Sequence, residues 1–264
     1  MAKLSGPLGF KGKLSDISAY TRIGCEGTIL RMGWGPSKED IQTKDCYRIT
    51  RKYNAEFGGC STTSGFIMKV ISPLKPVVNY NISAVLTGLL KQIQQEDRES
   101  KLGKRNVLIS KKRFLLEGLN LNQRHSFENV ISTPLPFELD KEAGTVRIEI
   151  PELTPGANFF PPSNFSVCRI KALLGIVPDF YYALPRYKPL KKYKDWMPAV
   201  AQSEWFQAAN GCSSIKLELT VPHNVSEDGF SLLLAVGLEV GRPLVTGEMV
   251  PLLHNGCGKI LAVR

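Results

Sequence analysis

The sequence predicts an α+β chain: an N-terminal β-hairpin with about three helices, then an antiparallel β-sandwich of the immunoglobulin or fibronectin kind. Three observations predict it. Ile82, Val85, Leu86, Leu89, Leu90 and Ile93 recur at helical spacing, the stripe of an amphipathic helix. Further along, the apolar period falls to two. Val146, Ile148 and Ile150 alternate with polar residues, as do Ile215, Leu217 and Leu219. Turn residues then divide the second half into about seven short runs, the count of a sandwich.

Residues 8–34 read as a β-hairpin or small meander. Phe10, Gly12, Leu14 and Tyr20 fall on even positions, the spacing of one face of extended chain. Residues 28–32, with Ile29 and Arg31, make the return, and Gly33, Gly35 and Pro36 stop it. Residues 38–58 read as a helix capped by Ser37, with Asp40 three residues on. The pair Gly58-Gly59 is expected to end it. A second helix is expected up to Ile71, closed by Pro73 and Pro76, and a third over 79–95. The charged stretch 96–113 enters a strand at 106–110. Further strands are expected at 127–132, 145–150, 166–174, 176–183, 214–221, 230–240 and 258–263. Residues 184–200 read as a long surface loop. The division is therefore 1–105, a basic hairpin-plus-helix region, and 106–264, the sandwich.

Charge is unevenly placed. Residues 1–125 carry 21 basic and 10 acidic residues, and the remainder 13 and 14, so +11 stands beside −1. Such sorting points to an acidic partner: nucleic acid, an anionic surface, or another subunit. The longest apolar runs, such as 230–237, are too short to span a bilayer. The first ten residues lack the apolar stretch of a secretory signal, so a cytoplasmic protein with reduced thiols is expected. On that reading the sequons at Asn81, Asn164 and Asn224 carry no weight.

No catalytic constellation is visible. The six cysteines, Cys25, Cys46, Cys60, Cys168, Cys212 and Cys257, include no Cys-x-x-Cys pair, and His125, His223 and His254 form no paired-ligand motif with them. Neither metal nor cofactor is expected. The glycines near Gly9 and Gly33 lack phosphate-loop spacing, and Gly211-Cys212-Ser213 precedes a strand rather than a helix. Spacing along the chain does not speak to a glycosidase pair, whose carboxylates meet only in the fold.

The candidate interface or anion-binding residues are basic–aromatic clusters. One is Arg48, Arg51 and Lys52 on a helix. A second is Lys104 and Arg105 with Lys111, Lys112 and Arg113. A third is Arg186, Tyr187, Lys191, Lys192, Tyr193 and Trp196 in the 184–200 loop. Cations and rings interleaved can follow a phosphate chain or form an interface hot spot. The bland alternative is a solvated basic surface. The hairpin residues Phe10, Leu14, Tyr20, Ile29 and Arg31 are a separate candidate, because so short a hairpin gains stability by adding to another sheet.

The opening Phe10-Lys-Gly-Lys-Leu-Ser-Asp-Ile-Ser-Ala-Tyr20 resembles that of a bacterial family of uncharacterised proteins, as do 51–59, 109–112 and 156–160. Lys11 stands where many of its members carry Ser or Thr. The resemblance implies a helical N-terminal part joined to a β-sandwich, and no catalytic residue. The expectation is a non-enzymatic, self-assembling structural protein whose partners are copies of itself. The alternative is a nucleic-acid-binding protein using the basic N-terminal region.

Overall fold

The computed structural model describes residues 2–4, 10–22, 27–33, 35–162, 167–189, 197–221, 229–245 and 247–264. It is an α+β structure with antiparallel sheets. The chain divides into two compact units, Met1–Arg51 and Lys52–Arg264. The boundary expected near residue 105 does not separate compact units, because helices before it and strands after it share one core.

In the first unit β1 (Ala2–Leu4), β2 (Gly12–Leu14), β3 (Ile17–Tyr20) and β4 (Thr28–Met32) form an antiparallel sheet in the order β1-β4-β3-β2. The meander expected over 8–34 is present, with one strand before it. Its faces differ from the even-position reading. The turn between β2 and β3 has two residues, with Ser15 in the left-handed region at φ 50°. Leu14 therefore stands opposite Ile17, and Ile17 opposite Met32. Residues directly opposite share a face, so a two-residue turn joins even positions of β2 to odd positions of β3. Tyr20 pairs with Ile29 and shares its face with Ser18 and Arg31, away from Leu14. Phe10 lies outside the strand. After the sheet comes α1 (Lys38–Thr43), capped as expected: Asp40 N donates to Ser37 Oγ, and Ser37 N to Asp40 Oδ2.

The two expected helices are divided differently: the one expected over 38–58 breaks at Lys44, whose backbone is extended, and its later part continues into the second as one helix, α2 (Arg48–Val70). It runs through Gly58-Gly59, because Gly59 serves close packing rather than termination. A Cβ there would lie 2.8 Å from three ring atoms of Tyr187. A 3-10 segment, Ser72–Val77, holds both prolines, and α3 (Ile82–Gln95) buries Ile82, Leu86, Leu90 and Ile93 as the stripe predicts. Two expected strands are absent. Residues 106–110 contribute one bridge, Val107 to Phe180, and enter a 3-10 turn. At 127–132 stands α4 (Phe127–Val130), whose first N–H donates to Asn120 Oδ1 at 2.8 Å. A side-chain acceptor at that point favours a helical turn over a strand.

The remaining strands are β5 (Phe137–Asp140), β6 (Thr145–Ile150), β7 (Val167–Pro178), β8 (Phe180–Ala183), β9 (Arg186–Pro189), β10 (Ala199–Gln202), β11 (Phe206–Gln207), β12 (Ile215–Thr220), β13 (Phe230–Pro243), β14 (Met249–Pro251) and β15 (Cys257–Val263). The central sheet has the order β10-β7-β13-β14, with β11 on β7 and β15 on β13. A smaller sheet has the order β12-β6-β5, and β8-β9 is a hairpin. The expected 184–200 loop thus contains β9 and the start of β10.

Both faces of β7 and β13 are buried, which is why their sequences run apolar without alternation. On one face Leu173, Val177, Leu233 and Ala235 meet Ile67, Val70, Leu74, Leu86 and Leu90 of the helical layer. On the other, Leu174, Ile176, Leu232 and Leu234 meet Val146, Ile148, Leu217 and Leu219. The expectation of one wet face, made for the runs that form β6 and β12, holds in both. Small residues let the helical layer approach: a Cβ on Gly237 would lie 2.8 Å from Leu74, and one on Gly175 would overlap Val70. No helix among the described residues is long and apolar enough to cross a membrane.

Candidate functional site

The N-terminal sheet exposes two rows of side chains, one on each face. On one face Leu14, Ile17 and Met32 lie in a line across β2, β3 and β4, and are 64%, 39% and 59% exposed. On the other, Lys13, Ser18 and Arg31 form the matching line, with Lys13 and Arg31 exposed and Tyr20 beside them. Only Ala19 and Ile29 are buried hydrophobics among the described residues of this unit. Covering what remains exposed of the apolar row is worth about 3 kcal/mol, at about 2 kcal/mol per covered side chain. The hairpin candidates therefore separate. Leu14 belongs to the apolar row, Tyr20, Ile29 and Arg31 to the basic face, and Phe10 to neither row.

The basic candidates do not gather into one patch. Arg48 is exposed, whereas Arg51 donates to the carbonyls of Ile41 and Lys44, 2.8 Å each, and so closes the end of α1. In the second unit Lys52, Lys104, Lys111 and Arg186 are exposed, and Arg113 is half-buried. Arg105 faces inward. The Glu56 carboxylate is fully buried and takes Lys91 Nζ at 2.5 Å, Gly103 N at 2.8 Å and Arg105 Nε at 3.8 Å. Gln94 ties this group together, donating to the carbonyls of Glu56 and Arg105 and to the Tyr187 hydroxyl. Tyr187 in turn donates to Arg105 O at 2.8 Å and is buried, which pushes its hydroxyl pKa far up. Arg105 and Tyr187 thus pin α2, α3 and β9 together. Lys112 pairs with Glu96 at 3.5 Å. Arg186 lines a half-open cavity of about 680 Å³ between the β8-β9 hairpin and Asn54, Ala55, Gly58 and Thr62 of α2. Lys191, Lys192, Tyr193 and Trp196 lie outside the described residues, as do Cys25, Asn164, His223 and Asn224.

One surface escaped sequence reasoning. The outward half of the alternation in the smaller sheet carries Glu138 and Asp140 on β5, Arg147 and Glu149 on β6, and Lys216, Glu218 and Thr220 on β12. Glu138, Arg147 and Glu218 stand in one row, with Arg147 Nε 3.0 Å from Glu218 Oε1 and both side chains about 70% exposed. The signal was present in the same residues that revealed the strands, in their polar half.

The buried carboxylates Glu239 and Asp179 have partners. Glu239 takes Arg169 and Lys171, each at 2.6 Å, and Arg169 lies against the Trp205 ring. Asp179 accepts from Ser110 N and Oγ, yet burial outweighs these bonds and lifts its pKa. Burial also pushes Cys60 up to about 11 and Cys168 up to about 12, and raises Cys257, so these thiols stay protonated and weakly nucleophilic. His254 Nδ1 lies 2.6 Å from Val78 O. Family models, curated proteins and solved structures yield no match to this chain.

Proposed function

We propose that this chain is a non-enzymatic structural subunit, acting in the cytoplasm, that assembles with copies of itself through its N-terminal sheet. The observation that carries the reading is the row Leu14, Ile17 and Met32: three large apolar side chains aligned and exposed in a unit with two buried hydrophobics among its described residues. Apolar surface set out in this way gains stability when another molecule covers it. The edge strands β1 and β2 add backbone groups that pair with no further strand among the described residues, a second means of joining sheets. We read the two packed sheets of the second unit as an immunoglobulin- or fibronectin-like module, a rigid body for such an assembly. Light scattering of the purified chain over a concentration series tests the proposal. Growth of mass with concentration is expected, and a monomer at every concentration overturns it.

A second reading has its own observation. Exposed Tyr20 shares a face with exposed Lys13 and Arg31, and a ring beside two cations suits single-stranded nucleic acid. On that reading a fluorescent oligonucleotide binds at low salt and is released steeply as salt rises. Absence of binding at low salt removes it.

A further inference from the structure

We infer that the outer face of the β12-β6-β5 sheet receives the basic face of the N-terminal sheet of a second copy, so that copies join head to tail. The inference rests on the self-assembly reading and adds a second contact to it, made by the face of the N-terminal sheet opposite the apolar row. Two rows carry the argument. Lys13, Ser18 and Arg31 lie straight across three adjacent antiparallel strands. Glu138, Arg147 and Glu218 lie straight across three others. Neighbouring strands are about 4.8 Å apart, so in each row the backbones of the outer two residues stand about 10 Å from one another.

The signs and sizes match as well as the spacing. Laid against each other, the rows place each outer carboxylate opposite an outer cation. The middle residue of the acidic row, Arg147, then faces Ser18, which is small and neutral, and not a third cation. All four outer side chains are exposed. Arg147 shares Glu218 through an exposed pair, which screening leaves weak and easily exchanged. Around the row, Asp140 and Glu149 add negative charge and Lys216 subtracts from it, leaving the face net acidic.

The partner is a second copy, because both halves of the complementarity stand on this one chain. The two rows occupy different surfaces, so the contact is heterologous. Repetition of a heterologous contact closes into a ring or continues as an open filament. Charge pairs of this kind set register and speed of encounter, and they weaken with salt.

Charge exchange tests it, with sedimentation velocity of the full chain at low salt as the readout and circular dichroism as the check on folding. One variant carries Lys13→Glu and Arg31→Glu, the other Glu138→Lys and Glu218→Lys. Each alone is expected to associate about tenfold more weakly than the parent chain, or less. An equimolar mixture is expected to regain association, because each reversed surface finds its complement on the other variant. Association of either variant at the parent strength overturns the inference, and so does a mixture that fails to regain it. Leu14→Ser with Met32→Ser separates the two proposals. If that variant loses association while the charge variants keep it, the head-to-tail contact falls and self-assembly stands. A parent chain that never associates removes both. Loss of oligonucleotide binding by Lys13→Glu and Arg31→Glu, with association of the parent absent, transfers the basic row to the nucleic-acid reading.

Discussion

Two adjacent glycines in α2 should respond to alanine with opposite signs. Gly58 is exposed, and a Cβ built there meets no heavy atom within 4 Å. Alanine in a helix interior is favoured over glycine by about 1 kcal/mol, partly because the unfolded chain loses freedom. Gly58→Ala is therefore expected to stabilise by about that amount. At Gly59 the same methyl would sit 2.8 Å from three atoms of the Tyr187 ring. Ordinary carbon contact is near 3.5 Å, so the ring must retreat by roughly 0.7 Å. That retreat strains the 2.8 Å bond from the Tyr187 hydroxyl to Arg105 O. Overpacking and a weakened buried hydrogen bond together outweigh the propensity gain, for a net loss of about 2 kcal/mol. Urea unfolding at constant slope reads both. A midpoint rise for Gly58→Ala beside a fall for Gly59→Ala is the expected result. In a Tyr187→Leu background the Gly59→Ala penalty should shrink. Equal stabilisation by both alanines would refute the packing of Tyr187 on this helix.

Other groups give independent checks. Glu56→Ala leaves Lys91 and Arg105 without their buried carboxylate, and chemical denaturation should register a loss of about 3–5 kcal/mol. Ser231 is buried and its hydroxyl has no hydrogen-bond partner among the described residues, so Ser231→Ala should raise stability by about 1 kcal/mol in the same assay. Asp40 is held at about 2 by its hydrogen bonds to Lys44 and Ser37. Its folded value lies below the unfolded one, so its contribution is present above about pH 4 and lost as pH falls towards 2. Its carboxyl shift in an NMR titration should report that midpoint, and Ser37→Ala should move it up. A thiol reagent should modify exposed Cys46 in the native protein while Cys60, Cys168 and Cys257 react only on unfolding. Rapid native modification of those three would contradict their burial.

What was legible in the sequence was whatever one element records by itself. α3 has one dry face, so its stripe at Ile82, Leu86, Leu90 and Ile93 shows it directly. β6 and β12 have one wet face, so alternation shows them. β7 and β13 are covered on both sides, and an apolar run does not say what covers it. Features made by distant partners were illegible. Gly59 is read as a helix end unless Tyr187 is known to lie on it. The turn at 127–130 depends on the Asn120 side chain. The parity of the N-terminal strands depends on Ser15 in a left-handed turn that no glycine marks. For the candidate site the same limit applies. Arg105 and Tyr187 have the chemistry of an interface pair, but Glu56 and Gln94 draw them inward. Leu14 was legible as an apolar hairpin residue. Its alignment with Ile17 and Met32 required the register.

The central claim is that an exposed apolar row on the N-terminal sheet brings copies of this chain together. Sedimentation equilibrium of the parent chain and of Leu14→Ser with Met32→Ser, at low and at high salt, tests it most directly. The account predicts mass above that of one 29.3 kDa chain for the parent, retained in part at high salt, and for the variant a lower mass that falls to that of a monomer at high salt. Identical masses for parent and variant at both salt concentrations would contradict it.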